Sequence, residues 1–193
     1  MPAARLIKAA GQIHTLKIGG ATIEVSFEGG PCDVSTQELL NWVTEAARAV
    51  ASYFGRFPVR QARVEVRIVP NRRGVLHGTS YGENGAFTRI AVGQHSTVSG
   101  LWKDWTMTHE FVHYGFPSVG RRHHWIEEGS AVYIEPIARG QIKNLSAKQV
   151  WSEMVRGMPQ GLPKPGEQGL DDTHTWASTY WSGAIFCLLA DVH

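Results

Sequence analysis

His109-Glu110-Phe111-Val112-His113 lies inside a run of helical periodicity from Trp105 to Tyr114, and this pentad limits the possible folds more than any other feature of the chain. At ~100° per residue, positions i and i+4 sit about 40° apart around a helix, so both imidazoles can face one point in space. That spacing suits a tetrahedral Zn2+. Glu110, at i+1, turns aside from the pair yet stays within reach of a proton on a water at the metal. A chance match is the bland alternative, with both histidines on the surface or satisfied in the core. A third ligand in the right place decides between the two.

Trp125-Ile126-Glu127-Glu128-Gly129-Ser130-Ala131 opens the next helical run after a short loop, and Glu128 projects from its first turn toward the first helix. Helix phase favours Glu128, with Glu127 its nearest rival. His123 and His124 fall in the connecting loop and read as surface or supporting groups. A metzincin needs a glycine three positions and a histidine six positions beyond His113, where this chain has Phe116 and Val119. A peptide deformylase needs a Glu-Gly-Cys segment, which Gly30-Pro31-Cys32-Asp33 does not supply.

The rest of the chain is consistent with one domain, residues 1–193: a sheet-rich lobe over 1–98 with one long helix, then a helical lobe over 99–193. Gly19-Gly20 separates two β-type runs, Ile13–Ile18 and Ala21–Phe27, as a hairpin turn does. Ser35 and Glu38 form a capping box for a helix closed at Gly55, and Arg63–Val69 alternates as a half-buried strand. Gly74–Gly85 reads as a Gly-rich loop and Ala86–Val92 as a further strand. Helices are expected over 105–114, 126–135 (stopped by Pro136), 146–156 and 172–191, with a surface loop over 158–169. The class is α+β, a small mixed sheet with an N-terminal helix followed by a helical half that carries the zinc site.

A net charge of +2, scattered along the chain, argues against nucleic acid as a partner. No stretch approaches the ~20 apolar residues of a membrane span, and Met1–Gly11 lacks a signal core. The chain therefore reads as soluble, in the cytoplasm or secreted if a leader has been removed. Its apolar end, Ala184–Val192, stops at His193 without a cap, so the native protein is expected to continue.

His109-Glu110-x-x-His113 followed by Trp125-x-x-Glu128-Gly129-x-Ala131 resembles the gluzincins, in particular the aminopeptidase N family and the PDZ-containing glycyl aminopeptidases. The resemblance covers about 52–191. It takes in Tyr53-Phe54-Gly55-Arg56-Phe57-Pro58-Val59 before the Val64–Val69 strand, and Tyr180-Trp181-Ser182-Gly183-Ala184 on the last helix. It implies a thermolysin-like catalytic domain holding one Zn2+ by His109, His113 and Glu128, with Glu110 as general base for a metal-activated water. It also implies that Tyr180 stabilises the oxyanion, and that the substrate is a peptide or protein. Two departures stand out: the spacer from His113 to Glu128 is about four residues shorter than in that family, and Ser182 replaces a lysine. Gly82-Glu83-Asn84-Gly85 occupies the place of the segment that binds a substrate's free amino terminus. Alternatively, Asn84-Gly85-Ala86-Phe87 is similar to the thermolysin edge strand that pairs with bound peptide. A non-catalytic peptide-binding module on the same fold is the rival from another class.

Overall fold

Gly19 and Gly20, at φ 56° and 82°, make the tight turn that joins β1 (His14–Ile18) to β2 (Ala21–Gly29) as an antiparallel hairpin. The computed structural model describes residues 12–82, 85–172 and 175–193. Beyond β2, the Ser35 side chain accepts the Glu38 amide at 3.2 Å and starts α1 (Thr36–Phe54), which ends at Gly55 with φ 74°. This helix carries the chain back across the sheet, so β3 (Gln61–Val69) runs parallel to β2. Its buried face, including Leu39, Val43, Ala47 and Val50, joins Ile23, Val25, Val64 and Val66 in one core. Each such buried aliphatic side chain contributes ~1.5–3 kcal/mol relative to exposure.

The segment expected as a Gly-rich loop is a strand, β4 (Val75–Tyr81), antiparallel to β5 (Ala86–Gly93), which in turn pairs parallel with β3. The sheet order is β1-β2-β3-β5-β4. β4 is therefore the edge, and Ala86 opens an interior strand instead of the expected edge. Ladder pairing holds β4 in place, and Gly78 at its centre hides the alternation that would mark a strand in the sequence.

The helical half begins with α2 (Val98–Lys103), capped by Thr97, and α3 (Thr106–Val112), which continues as a 3-10 turn over His113–Gly115. α4 (His124–Gln141) does not stop at Pro136; the proline lies inside it. The turns beyond are held by tertiary contacts. Arg139, buried with Glu135, donates to it at 2.8 Å and also to the carbonyls of Trp102 and Lys103, and these bonds outweigh the one backbone bond that proline removes. α5 (Ala147–Gly157) has a complete Ser146/Gln149 capping box. The terminal helix expected over 172–191 runs unbroken from residue 176, with a π-helical turn, Ser178–Ser182, leading into α6 (Gly183–Val192). The expected surface loop after α5 is partly interior, since Gly161 is buried against Trp181 and Ser182.

Leu101, Met107, Phe111, Val112 and Ala131 belong to the same apolar cluster as the sheet and α1, so one core spans both halves. A second cluster, with Tyr133, Leu145, Val150, Met154 and Ala184, lies between α4, α5 and α6. Among the described residues no helix is long and apolar enough to cross a membrane.

Candidate metal centre

The Thr106 amide donates to Asp104 Oδ1 at 2.8 Å, and this contact starts α3 just ahead of the pentad. One turn later His109 is 2% exposed, and its ring is fixed by aromatic packing on both sides. Trp105 meets it edge-on with centroids 5.0 Å apart, and Tyr180 stacks at 5.8 Å. His113, half-buried, follows at i+4. Glu128 comes from α4 and is 8% exposed.

The approach of α4 to the π-turn depends on two glycines. A Cβ on Gly129 would lie 2.3 Å from the Gly183 Cα, and one on Gly183 would lie 2.3 Å from the Trp125 carbonyl. Backbones meet there with no side chain between, which brings the Tyr180 turn against the Glu128 turn. Glycine at both positions is thus a packing requirement of the site.

His109 Nε2 lies 3.0 Å from Glu128 Oε2, and His113 Nε2 lies 3.7 Å from Glu128 Oε1. One donor atom from each of the three falls within 4.8 Å of the other two. Zinc bonds of about 2.0–2.1 Å at tetrahedral angles put ligand atoms about 3.3 Å apart, so the observed separations suit such an ion. The protonation states suit it as well. Burial, followed by the neighbouring His109, lowers His113 to about 4, which keeps its ring neutral. Burial alone would raise Glu128, but the His109 hydrogen bond, the two imidazoles and the Tyr180 hydroxyl outweigh it and hold the carboxyl down at about 2. Neutral imidazole and ionised carboxylate are the forms a metal takes.

Glu110 is 7% exposed, with its carboxyl against the edge strand. A Cβ on Gly78 would sit 2.6 Å from the Glu110 Cγ, so β4 leaves room for this side chain only because it has none there. Burial raises the Glu110 pKa, while His109 and Ser80 beside it pull it back in part. Ser80 also donates to the Glu110 main-chain carbonyl at 2.9 Å and shares a 2.8 Å bond with Thr88, which meets Tyr114 at 2.6 Å. These contacts tie β4 and β5 to the end of α3. Burial, then the charge of Glu128, raises the Tyr180 phenol above its usual range, so it stays a donor.

The residues singled out in the sequence distribute plainly. His109, His113 and Glu128 converge; Glu110 and Tyr180 line the same cleft of about 710 Å3, together with Gly78, Thr79, Ser80 and Ala86. Gly85 is exposed at the start of the β5 ladder and is not among the residues lining that cleft. Glu83 and Asn84 lie outside the described residues. Glu127, the rival ligand, lines the same cleft but is outside the convergent set, and it accepts the Val119 amide. His123, the residue that precedes α4, pairs with Asp171 at 2.8 Å, whereas His124 is the first residue of α4 and touches both Glu127 and Glu128. Gly78 and Ser80 escape a reading of the sequence because their strand reads as a loop.

No protein-family model matches this chain, and no curated protein matches it in sequence. Its fold is similar to that of an aminopeptidase N family protein from Idiomarina loihiensis, with a TM-score of 0.59 at 13% identity over 92% of this chain. It is also similar to an M1 zinc metallopeptidase from Deinococcus radiodurans (TM-score 0.53, 18% identity, 93% of this chain). A mutant of that enzyme bound to a Tyr-Ser-Ala substrate gives a TM-score of 0.55 at 17% identity. The chain spans only 36–38% of the length of these proteins. At such identities the likeness is one of fold: a small mixed α+β unit with a five-stranded sheet, similar to part of the zinc metallopeptidase structures.

Proposed function

We propose that this chain is a gluzincin-type, thermolysin-like metallopeptidase domain that hydrolyses peptide bonds with one Zn2+ held by His109, His113 and Glu128. The observation that carries the reading is the meeting of those three donor groups beside a buried carboxyl, Glu110, whose environment raises its affinity for a proton. When bound, zinc supplies Lewis acidity and lowers the pKa of a water toward ~7. Everything else falls to the chain itself. Glu110 accepts the proton of the attacking water and returns it to the leaving amine, a role suited to a carboxyl with a raised pKa. Tyr180, kept protonated, donates to the oxyanion as charge develops on the former carbonyl.

The substrate backbone has a natural partner in β4. Its inner side pairs with β5, while Gly78, Thr79, Ser80 and Tyr81 border the cleft beside Glu110. An extended peptide can add to that edge as a further strand, with its scissile bond beside Glu110 and the three residues that would hold the metal. Glu83 is the proposed anchor for a free amino terminus. Faster cleavage of unblocked than of amino-blocked peptides supports that anchor; indifference to blocking assigns endopeptidase action and removes it.

The deciding experiment pairs metal analysis with cleavage of a peptide library. The wild-type protein is expected to bind one zinc and cleave; Glu110→Gln is expected to keep the zinc and lose about 10²–10⁴-fold in turnover. Undiminished cleavage by that variant sinks the assignment of Glu110. A wild-type protein that binds zinc and cleaves nothing is a peptide-binding module built on the same fold.

A further inference from the structure

We propose that His124 is a positioning residue that couples Glu128 to the loop at the mouth of the cleft, acting through Glu127. The proposal rests on the metal reading above. His124, Glu127 and Glu128 stand at i, i+3 and i+4 on α4, the spacing that places side chains on one helix face. The half-exposed imidazole lies over both carboxylates: Nδ1 is 3.0 Å from Glu127 Oε2 and Nε2 is 3.1 Å from Glu128 Oε1. The remaining oxygen of Glu127 accepts the Val119 backbone amide. A continuous chain of contacts therefore runs from Val119 through Glu127 and His124 to Glu128. The loop it begins in, residues 116–120, contributes Phe116, Pro117 and Ser118 to the lining of the cleft.

His124 is a bridge and not a fourth ligand. Its nitrogen approaches Glu128 more closely than His113 does, yet the convergent set of donor atoms consists of His109, His113 and Glu128. A fourth protein ligand would close the coordination sphere as in structural zinc sites, whereas a bridge outside it leaves the open position that hydrolysis needs. The bridge also separates two adjacent carboxylates that would otherwise repel each other across a largely buried space. Groups that fix the orientation of a metal ligand in this way set metal affinity by about 10–100-fold.

Two readouts test the coupling without reference to turnover: zinc affinity by competition with a chelator, and hydrogen exchange of the amides at 116–120 in the zinc-loaded protein. His124→Ala is expected to bind one zinc still, about 10–100-fold more weakly, and to alter the visible spectrum of the cobalt-substituted protein as Glu128 loses its restraint. His124→Gln, whose amide can reach one carboxylate, is expected to recover part of the loss. Glu127→Ala is expected to speed exchange at Val119 and to weaken zinc binding by a smaller factor. Wild-type affinity and an unchanged cobalt spectrum in His124→Ala, from a parent that binds one zinc, overturn the coupling and leave the metal site standing. A parent that takes up no zinc overturns both. Should His124→Ala fail to fold, the Gln and Glu127→Ala variants decide the matter by the same two measurements.

Discussion

The helical wall of the cleft and its strand wall act on two identical side chains in opposite directions. Glu128, on α4, is surrounded by three imidazoles and a phenol, and is held ionised down to about 2. Glu110, on α3, faces a glycine and a serine of β4, and burial raises its pKa. Both are almost fully buried, so burial alone cannot explain the difference. What differs is the company: hydrogen-bond donors gather on one carboxyl and hold it ionised, and a nearly bare strand backbone leaves the other able to take a proton. On the proposed reading, the choice of wall makes a ligand of one glutamate and a base of the other.

The comparison breaks most severely at Glu128. Glu128→Gln removes the anion on which the three imidazoles converge, and zinc affinity is expected to fall by more than the about 10–100-fold typical of a lost supporting contact. Elemental analysis after dialysis reads the result. Zinc retained at wild-type affinity would show that the helical wall is not the ligand wall. Tyr180→Phe comes next: it keeps the stack on His109 and removes one donor, so kcat is expected to fall by about 10²–10³ with little change in KM. An unchanged kcat returns Tyr180 to a packing role.

The convergence of the helical wall is legible in sequence because it follows from helix geometry. Residues 109, 113 and 128 face one point once α3 and α4 are placed, and Gly129 and Gly183 mark where α4 meets the turn that carries Tyr180. The strand wall is illegible for the opposite reason. Val75–Tyr81 is held by its ladder to β5, and its central glycine, present to accommodate Glu110, is the residue that disguises it as a loop. Pro136 misleads in the same manner, since the contacts that carry α4 past it come from Arg139 reaching back to α2. The contact between His124 and two carboxylates likewise depends on side-chain directions that spacing alone does not give.

Gly78→Ala attacks the strand wall directly. The new methyl would stand 2.6 Å from the Glu110 Cγ and 2.9 Å from its Oε1, so either the carboxyl or the strand must move. Displacements near 1 Å at a reacting group cost up to about 10²-fold in rate, and a loss of that order with zinc fully retained is expected. Equal loss of zinc would mean that the two walls are not independent.

Ser80→Ala tests the finest element of the comparison, the hydroxyl of a residue whose side chain and main-chain amide both favour the charged form of Glu110. A base works deprotonated, so the acid limb of kcat/KM rises with pH through the Glu110 pKa, which burial has already raised above 4.5. Removing a hydrogen bond to the carboxylate raises it again, and a bond of about 0.5–1.5 kcal/mol corresponds to about half to one pH unit. The limb is therefore expected to move to higher pH while the plateau above it stays in place. The stability record must agree in sign. A carboxyl with a raised pKa in the folded state opposes folding as pH climbs from 4.5 through that higher value, and the variant should extend this loss to higher pH. If the limb stays fixed, the Ser80 hydroxyl serves the main-chain carbonyl of Glu110 alone, and the strand wall acts on the base only by excluding water.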